Sequence, residues 1–301
     1  MHGKEFLTKL VYEPDPAEAI LGFLDERISD RIDLGDIGKS YQYMEDELSR
    51  FEWWLHEIWG TAFYKWLLGE PEQRALPRAY EIARRMGANI LIADGLSMRE
   101  LLILKKALPG RVSYSAGHAV HPTITSVAAR SFFGTSSLED AFQGNRLIEG
   151  HEWSCQVIHD IRSPPKIGGR KNLSLLTYYP DAPLHNVVKY GIAEIQDVSS
   201  VIGDLVRLIS ELSRVSDLVV VGDHGYIFLG KSPNRFLWRW VARTDRHGGS
   251  YGRQGLDVGG VQVAMGRLHA PDVKKSGAFI VHGGVSLTES LVPIIIVKGG
   301  A

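Results

Sequence analysis

Four short runs are apolar at almost every position: Asn89-Ile90-Leu91-Ile92-Ala93, Leu173-Ser174-Leu175-Leu176-Thr177-Tyr178, Leu218-Val219-Val220-Val221 and Pro293-Ile294-Ile295-Ile296-Val297. A strand with one face in water alternates apolar and polar residues, so a run without alternation is a strand covered on both faces. Glycine turns and helical stretches separate the runs, and helices are expected over Ser97 to Lys106, Ser126 to Phe133, Asn186 to Arg214 and Ser286 to Leu291. This is the grammar of an α/β fold whose mostly parallel sheet is covered by helices on both faces. Ligand sites in such sheets lie beyond the carboxyl ends of the strands.

The chain before these runs has another texture. From Pro16 to Arg85 apolar residues recur at helical spacing, through Ala17, Ile20, Leu21 and Leu24 and again through Leu48, Phe51, Leu55, Ile58 and Trp59, with acids between them. The pattern divides the chain into a small helical N-terminal region, 1–85, and an α/β domain, 86–301. Trp53, Trp54, Trp59 and Trp66 fall in the helical part, where aromatic residues at such spacing are core or domain-packing residues.

Composition limits what the chain can do. A length of 301 residues allows one large domain or a domain with an appendage. The 34 basic and 35 acidic side chains nearly cancel, which argues against a protein that coats nucleic acid or membrane through bulk charge and confines any polyanion site to a local patch. Cys155 is the single cysteine and the first residues lack the apolar stretch of a secretory signal, so a reducing, cytoplasmic setting is expected. The densest apolar run, Leu291 to Val297, is far below the roughly 20 residues that span a bilayer, and no membrane partner is expected.

The chemistry collects at the strand ends. The first run ends in Asp94-Gly95, the second leads to Asp181 and His185, the third to Asp223-His224-Gly225, and His282-Gly283-Gly284 stands near the last. Singly, each has a structural reading, as a helix cap or a polar turn. Together they bring metal-ligand side chains to one sheet edge. If a helix starts at Pro183, Asp181 and His185, four residues apart, face one ion. Oxygen and nitrogen donors suit zinc, with manganese as the alternative. Three aspartates and three histidines are too many for one tetrahedral ion and about right for two. Paired metals roughly 3.5–4 Å apart clamp the attacking and leaving oxygens in phosphoryl transfer, which makes phosphate esters the leading substrate class. Thr125 stands where a helix is expected to begin, a position that favours an anion. Either its hydroxyl is the nucleophile or Thr125 and Ser126 merely cap the helix.

In order as well as type, these segments resemble the alkaline phosphatase superfamily and, within it, the PglZ-domain branch. Leu91 to Leu96 is similar to the first-strand aspartate motif. Pro122-Thr123-Ile124-Thr125 is similar to the Pro-Thr-x-Thr nucleophile motif of PglZ domains and of nucleotide pyrophosphatases and phosphodiesterases, with Gly134 where a glycine follows the helix. Pro180-Asp181 to His185 resembles Pro-Asp-x-x-x-His, and Asp223-His224-Gly225-Tyr226 resembles Asp-His-Gly-Tyr. His282-Gly283-Gly284 to Glu289, with Val292-Pro293, is similar to a closing His-Gly-Gly-x-Ser-x-x-Glu segment. The resemblance covers about 88–297 and implies an alkaline phosphatase-like fold. It also implies one ion on Asp94, Thr125, Asp223 and His224 and another on Asp181, His185 and His282, with Thr125 as the catalytic nucleophile and a phosphothreonine intermediate. Thr123 is the reserve nucleophile. The Cys-x-Pro-x-Arg segment of sulfatases is absent, and the large inserted domains of mutase relatives have no room.

Selectivity must come from elsewhere. The Gly- and Arg-rich stretch 230–260 interrupts the α/β alternation, and Arg235, Arg239, Arg243 and Arg246, with His121, are the expected substrate-binding residues; Lys231, Arg253, Trp238, Trp240 and Tyr251 accompany them. Against this, Arg239 and Arg243 can form a solvated face with the tryptophans in the core. His118 also flanks the nucleophile segment. Three functions stay open: a two-zinc phosphodiesterase acting on nucleotides or oligonucleotides, a phosphomonoesterase, or a regulatory scaffold in a phage-defence or signalling system. In the last, the helical N-terminal region docks a protein partner or a second copy.

Overall fold

The four apolar runs become the middle of one sheet. The computed structural model describes residues 15–143, 153–167, 171–185, 197–229, 238–242, 245–270 and 280–300, with residues 6, 8, 10 and 12, and only the backbone at 239–242, 269 and 270. Along the chain the helices are α1 (Pro16–Ile28), α2 (Ile37–Trp59), α3 (Thr61–Leu67), α4 (Ala75–Met86), α5 (Met98–Ala107), α6 (Thr125–Phe133), α7 (Leu138–Gln143), α8 (Asp181–Leu184), α9 (Val198–Leu212) and α10 (Leu287–Ser290). The strands are β1 (Asn89–Ala93), β2 (Val112–His118), β3 (Ser154–Ile158), β4 (Leu173–Thr177), β5 (Leu218–Val221), β6 (Ile227–Phe228), β7 (Arg239–Ala242), β8 (Gly255–Val258), β9 (Val261–Ala264), β10 (Leu268–Ala270), β11 (Ile280–Val281) and β12 (Leu291–Val297).

The central sheet has the order β2-β12-β5-β1-β4-β3. Five strands run one way and β12 runs antiparallel to both of its neighbours, pairing Leu291 with His118 and Ile294 with Val221. One reversed strand has a consequence for function. The residues that precede β12 lie at the same edge as the residues that follow β2, β5, β1 and β4. Strands β1, β4 and β5 are buried along their whole length, and β12 nearly so, as continuous apolar runs require. The two strands that show no such run, β2 and β3, are the two sheet edges. Residues of β3 alternate between more and less exposed positions, β2 is partly open over its first four residues, and polar residues such as Ser113, Ser115 and Gln156 are tolerated there.

The described part of the expected helix from Asn186 starts at Val198, because the Asp197 side chain accepts the amide of Ser199 at 3.2 Å and caps it; residues 186–196 lie outside the described residues. The stretch 230–260 is more regular than a loop. It contributes β7, which pairs in parallel with β10, and β8, which forms an antiparallel hairpin with β9 just beyond it.

Position 85 marks a change of secondary structure and not an edge of the core. Ala17, Leu24, Tyr41, Leu48, Phe63 and Ala79 belong to the same buried cluster as Ile90, Leu175, Val220 and Ile294, and α1, α4 and α5 lie against the sheet. Of the four tryptophans, Trp54, Trp59 and Trp66 pack on this core. Trp53 departs from the expectation: it is 45% exposed and meets Trp238 edge to face at 5.0 Å. Among the described residues no helix is long and apolar enough to cross a membrane.

Candidate metal centre

Five adjacent strands deliver the chemistry to one edge. Thr125 follows β2, His282 precedes β12, Asp223 and His224 follow β5, Asp94 follows β1, and Asp181 follows β4. The side chains meet in two groups. Asp94, Asp223 and His224 form one, and Asp181, His185 and His282 the other, each with its ligand atoms within 4.8 Å of one another. The groups are neighbours, since the rings of His224 and His282 stack with centroids 4.2 Å apart.

Local structure explains how each residue arrives. Helix α5 is capped by Ser97 in a reciprocal capping box with Glu100, so the cap is Ser97 and not Asp94. Helix α8 begins at Asp181, two residues earlier than expected, and the His185 amide donates to the Asp181 carbonyl at 2.9 Å. One helical turn thus sets both side chains on one face. At the start of α6 the N-cap is Ile124, with no side-chain cap. The Thr125 hydroxyl is turned instead to the site, 3.1 Å from Asp94 Oδ1 and 3.2 Å from His224 Nε2.

Hydrogen bonds set the tautomers of two imidazoles. His224 Nδ1 lies 3.0 Å from the Gly225 carbonyl and His282 Nδ1 lies 2.8 Å from the Thr123 carbonyl. A carbonyl only accepts, so both protons sit on Nδ1 and both Nε2 lone pairs face the carboxylates. His224 Nε2 lies 3.7 Å from Asp94 and 3.6 Å from Asp223 Oδ2, and His282 Nε2 lies 3.5 Å from Asp181 Oδ1. Asp181 Oδ1 and Asp223 Oδ2 are buried without a hydrogen-bond partner. Lone pairs aimed at carboxylate oxygens repel unless a cation stands between them, and a backbone-anchored imidazole is the usual support of a metal ligand. These residues therefore fit divalent ions, and the O and N donor set matches zinc or manganese.

The titration of the groups agrees. Burial, and then the neighbouring His224 imidazole, lower the pKa of His282 to about 3, which keeps it a neutral donor. Burial opposes ionisation of Asp181, yet the neighbouring His185 outweighs it and holds the carboxyl well below the usual range.

A cleft of about 390 Å³ opens over the site, lined by Asp94, Thr125, Ser126, Glu139, Asp181 and His282 among others. None of its described lining residues is Lys or Arg. An anion entering there would meet carboxylates, and among the described lining residues the amino end of α6 is what attracts it.

The expected substrate-binding residues fare differently. Arg246 is a correction: it is 1% exposed, and its guanidinium is consumed by Glu289, at 2.8 and 2.6 Å, and by the carbonyls of Leu268 and Gly266. His121 is likewise buried, with Nε2 on Ser290 Oγ at 2.9 Å, and is not part of the cleft wall. His118 is buried against the Leu67 carbonyl. Arg239 lies on β7, Arg253 is exposed, and Arg235, Arg243 and Lys231 lie outside the described residues. Thr123 is unsuited as reserve nucleophile, because its fully buried hydroxyl donates to the Gly284 carbonyl at 3.0 Å and accepts from the Gly283 amide at 2.9 Å.

Glu45 and Glu52 were expected among the acids that stand between the apolar positions of α2. Both are 0% exposed. The signal was available: Tyr41, Glu45, Leu48, Glu52 and Leu55 follow one helical stripe, which puts both carboxylates on the buried face. No protein-family model and no curated protein matches the chain.

Proposed function

We propose that this chain is a metal-dependent phosphoric ester hydrolase, a two-zinc phosphodiesterase acting on nucleotides or oligonucleotides through a phosphothreonine on Thr125. We propose also that it is a PglZ-type member of the alkaline phosphatase superfamily, on the motifs given above. The reading is carried by one observation: two Asp/His triads stand side by side with the Thr125 hydroxyl between a carboxylate and an imidazole.

Asp94, Asp223 and His224, with Thr125, would hold one ion, and Asp181, His185 and His282 the other. Bound divalent ions supply positive charge that offsets the carboxylates, ionises a hydroxyl near neutral pH and stabilises the charge of an in-line displacement. The chain's own groups do the rest. Thr125 Oγ1, anchored at the first turn of α6, attacks phosphorus. Its proton, shared with Asp94 in the resting site, leaves to solvent, an Oγ1–P bond forms, and the P–O bond to the leaving alcohol breaks. Water then cleaves the phosphothreonine, restoring the hydroxyl and releasing the phosphorylated product. The amino end of α6 favours the anionic phosphoryl group throughout. Preference for a diester rests on the likeness of the Pro-Thr-x-Thr segment to diesterase motifs.

The test is metal analysis of the purified chain together with nitrophenol release from mono- and bis-nitrophenyl phosphate. Two equivalents of metal and faster cleavage of the diester are expected. Metal with faster monoester cleavage would make it a phosphomonoesterase. No turnover with metal bound would leave the scaffold reading.

A further inference from the structure

Behind the metal edge lies a second charged cluster, fully buried. Arg99 faces Glu45 at 3.0 Å, Arg267 pairs with Glu45 and with Glu52 at 2.9 Å, and Arg246 pairs with Glu289 at 2.6 Å, with all these side chains at 0% exposure. Glu100 accepts from the hydroxyls of Tyr41 and Tyr226 and from Ser97. We propose that Tyr41, Glu45 and Glu52 of helix α2 are positioning residues of the metal centre, holding the loops that carry its ligands through this ionic frame. The inference rests on the two-metal reading above.

The loops that carry Asp94, His224 and His282 are each tied within three residues of a ligand. Three residues after Asp94, the Ser97 amide and hydroxyl both donate to Glu100 at 2.6 Å. Two residues after His224, the Tyr226 carbonyl accepts from Arg99 at 2.7 Å and its hydroxyl donates to Glu100 at 2.6 Å. Two residues after His282, the Gly284 amide donates to Glu289 at 3.0 Å. The turn that follows is anchored to α2 directly, since the Leu287 amide donates to Glu52 Oε1 at 2.8 Å. Glu45 in turn accepts from the Phe228 amide at 3.3 Å.

There is little slack between these loops. A Cβ on Gly225 would stand 2.1 Å from the Thr288 carbonyl oxygen, and one on Gly222 would stand 2.8 Å from that of Leu96. A shift in one loop is therefore passed to the next. Stability alone does not call for charges in this place, because well-packed apolar residues of similar volume serve a core as well or better. Fixed geometry at the loops is what ion pairs with several directed bonds add.

Zinc affinity of the full-length chain, measured by chelator competition well below Tm, tests this with zinc alone as probe. Glu52→Gln, nearly isosteric, is expected to weaken zinc binding about 10–100-fold, the usual cost of losing support behind a metal ligand. Tyr41→Phe, which removes one hydroxyl and nothing else, should weaken it severalfold. Leu48→Ala, an apolar truncation on the same helix, should lower Tm while leaving zinc affinity as it was. Unchanged affinity in Glu52→Gln overturns the inference, as does an equal loss in Leu48→Ala. Should Glu52→Gln fail to fold, Tyr41→Phe decides, and unchanged affinity there overturns the inference too. A native chain that binds no zinc instead sinks the two-metal reading itself.

Discussion

Two clusters of charged side chains lie a few residues apart in this chain and are built on opposite rules. In the frame behind the site, Arg99, Arg246 and Arg267 are matched by Glu45, Glu52 and Glu289, and Glu100 is met by hydroxyls. At the sheet edge, Asp94, Asp181 and Asp223 face imidazole lone pairs, and two carboxylate oxygens are buried without a donor. Burial makes both arrangements costly, and at the sheet edge Asp94 accepts from Thr125 and Asp223 from the Gly95 amide while one oxygen each of Asp181 and Asp223 has no donor. Paired charges fix geometry, whereas Asp181 Oδ1 and Asp223 Oδ2, which no donor reaches, are open to a cation.

The largest effect expected from this contrast is at Thr125. Thr125→Ala should lower hydrolysis of bis-nitrophenyl phosphate by roughly 10³-fold or more while part of the bound zinc remains. Full activity in that variant would move the nucleophile elsewhere. Next, Asp181→Ala or His282→Ala should cut bound metal from two equivalents to one, as read by metal analysis; two equivalents retained would refute the division into triads.

The paired cluster should answer differently. Arg246→Met leaves Glu289 buried without its partner and is expected to destabilise the fold by about 3–5 kcal/mol in urea unfolding. Arg253→Ala, exposed in the same stretch, should stay within about 0.5 kcal/mol. Equal effects at the two arginines would erase the distinction between frame and surface.

A pH effect separates the site from the buried histidine beside it. Burial, and then the cations of Arg74 and His118, lower the pKa of His121 to about 3, against about 6.5 in an unfolded chain. The unfolded state therefore takes up the proton first as pH falls. His121 leaves stability intact above about pH 6.5 and removes it progressively down to about pH 3, on the order of 2 kcal/mol at pH 5. His121→Gln should flatten the stability profile over that window, and an unaltered profile would show that His121 titrates freely.

Much of this was legible before the fold was known. The limits of β1 and β5 match their apolar runs residue for residue, because strands buried on both faces need no partner to be recognised. The edge strands β2 and β3 were not legible, since open positions such as Ser113, Ser154 and Gln156 carry polar residues that dilute the apolar signal. At the site, the six aspartates and histidines stand out because each follows or precedes a strand, and they meet in two groups. The expectation for Arg246 was wrong for a physical reason. A guanidinium reads the same in sequence whether it points to a substrate or to a buried Glu289 that lies 43 residues further on.

The sequence by itself determined which segments are buried strands and which residue types stand at their ends, since both follow from local hydrophobic patterning. Tertiary structure alone decided the rest. Reversal of β12 brings His282 to the edge of the parallel strands, packing of α2 against the site loops buries Glu45 and Glu52, and carbonyl contacts orient His224 and His282. Each of these depends on groups distant in the chain, whose meeting is set by packing and by the need to satisfy buried polar atoms.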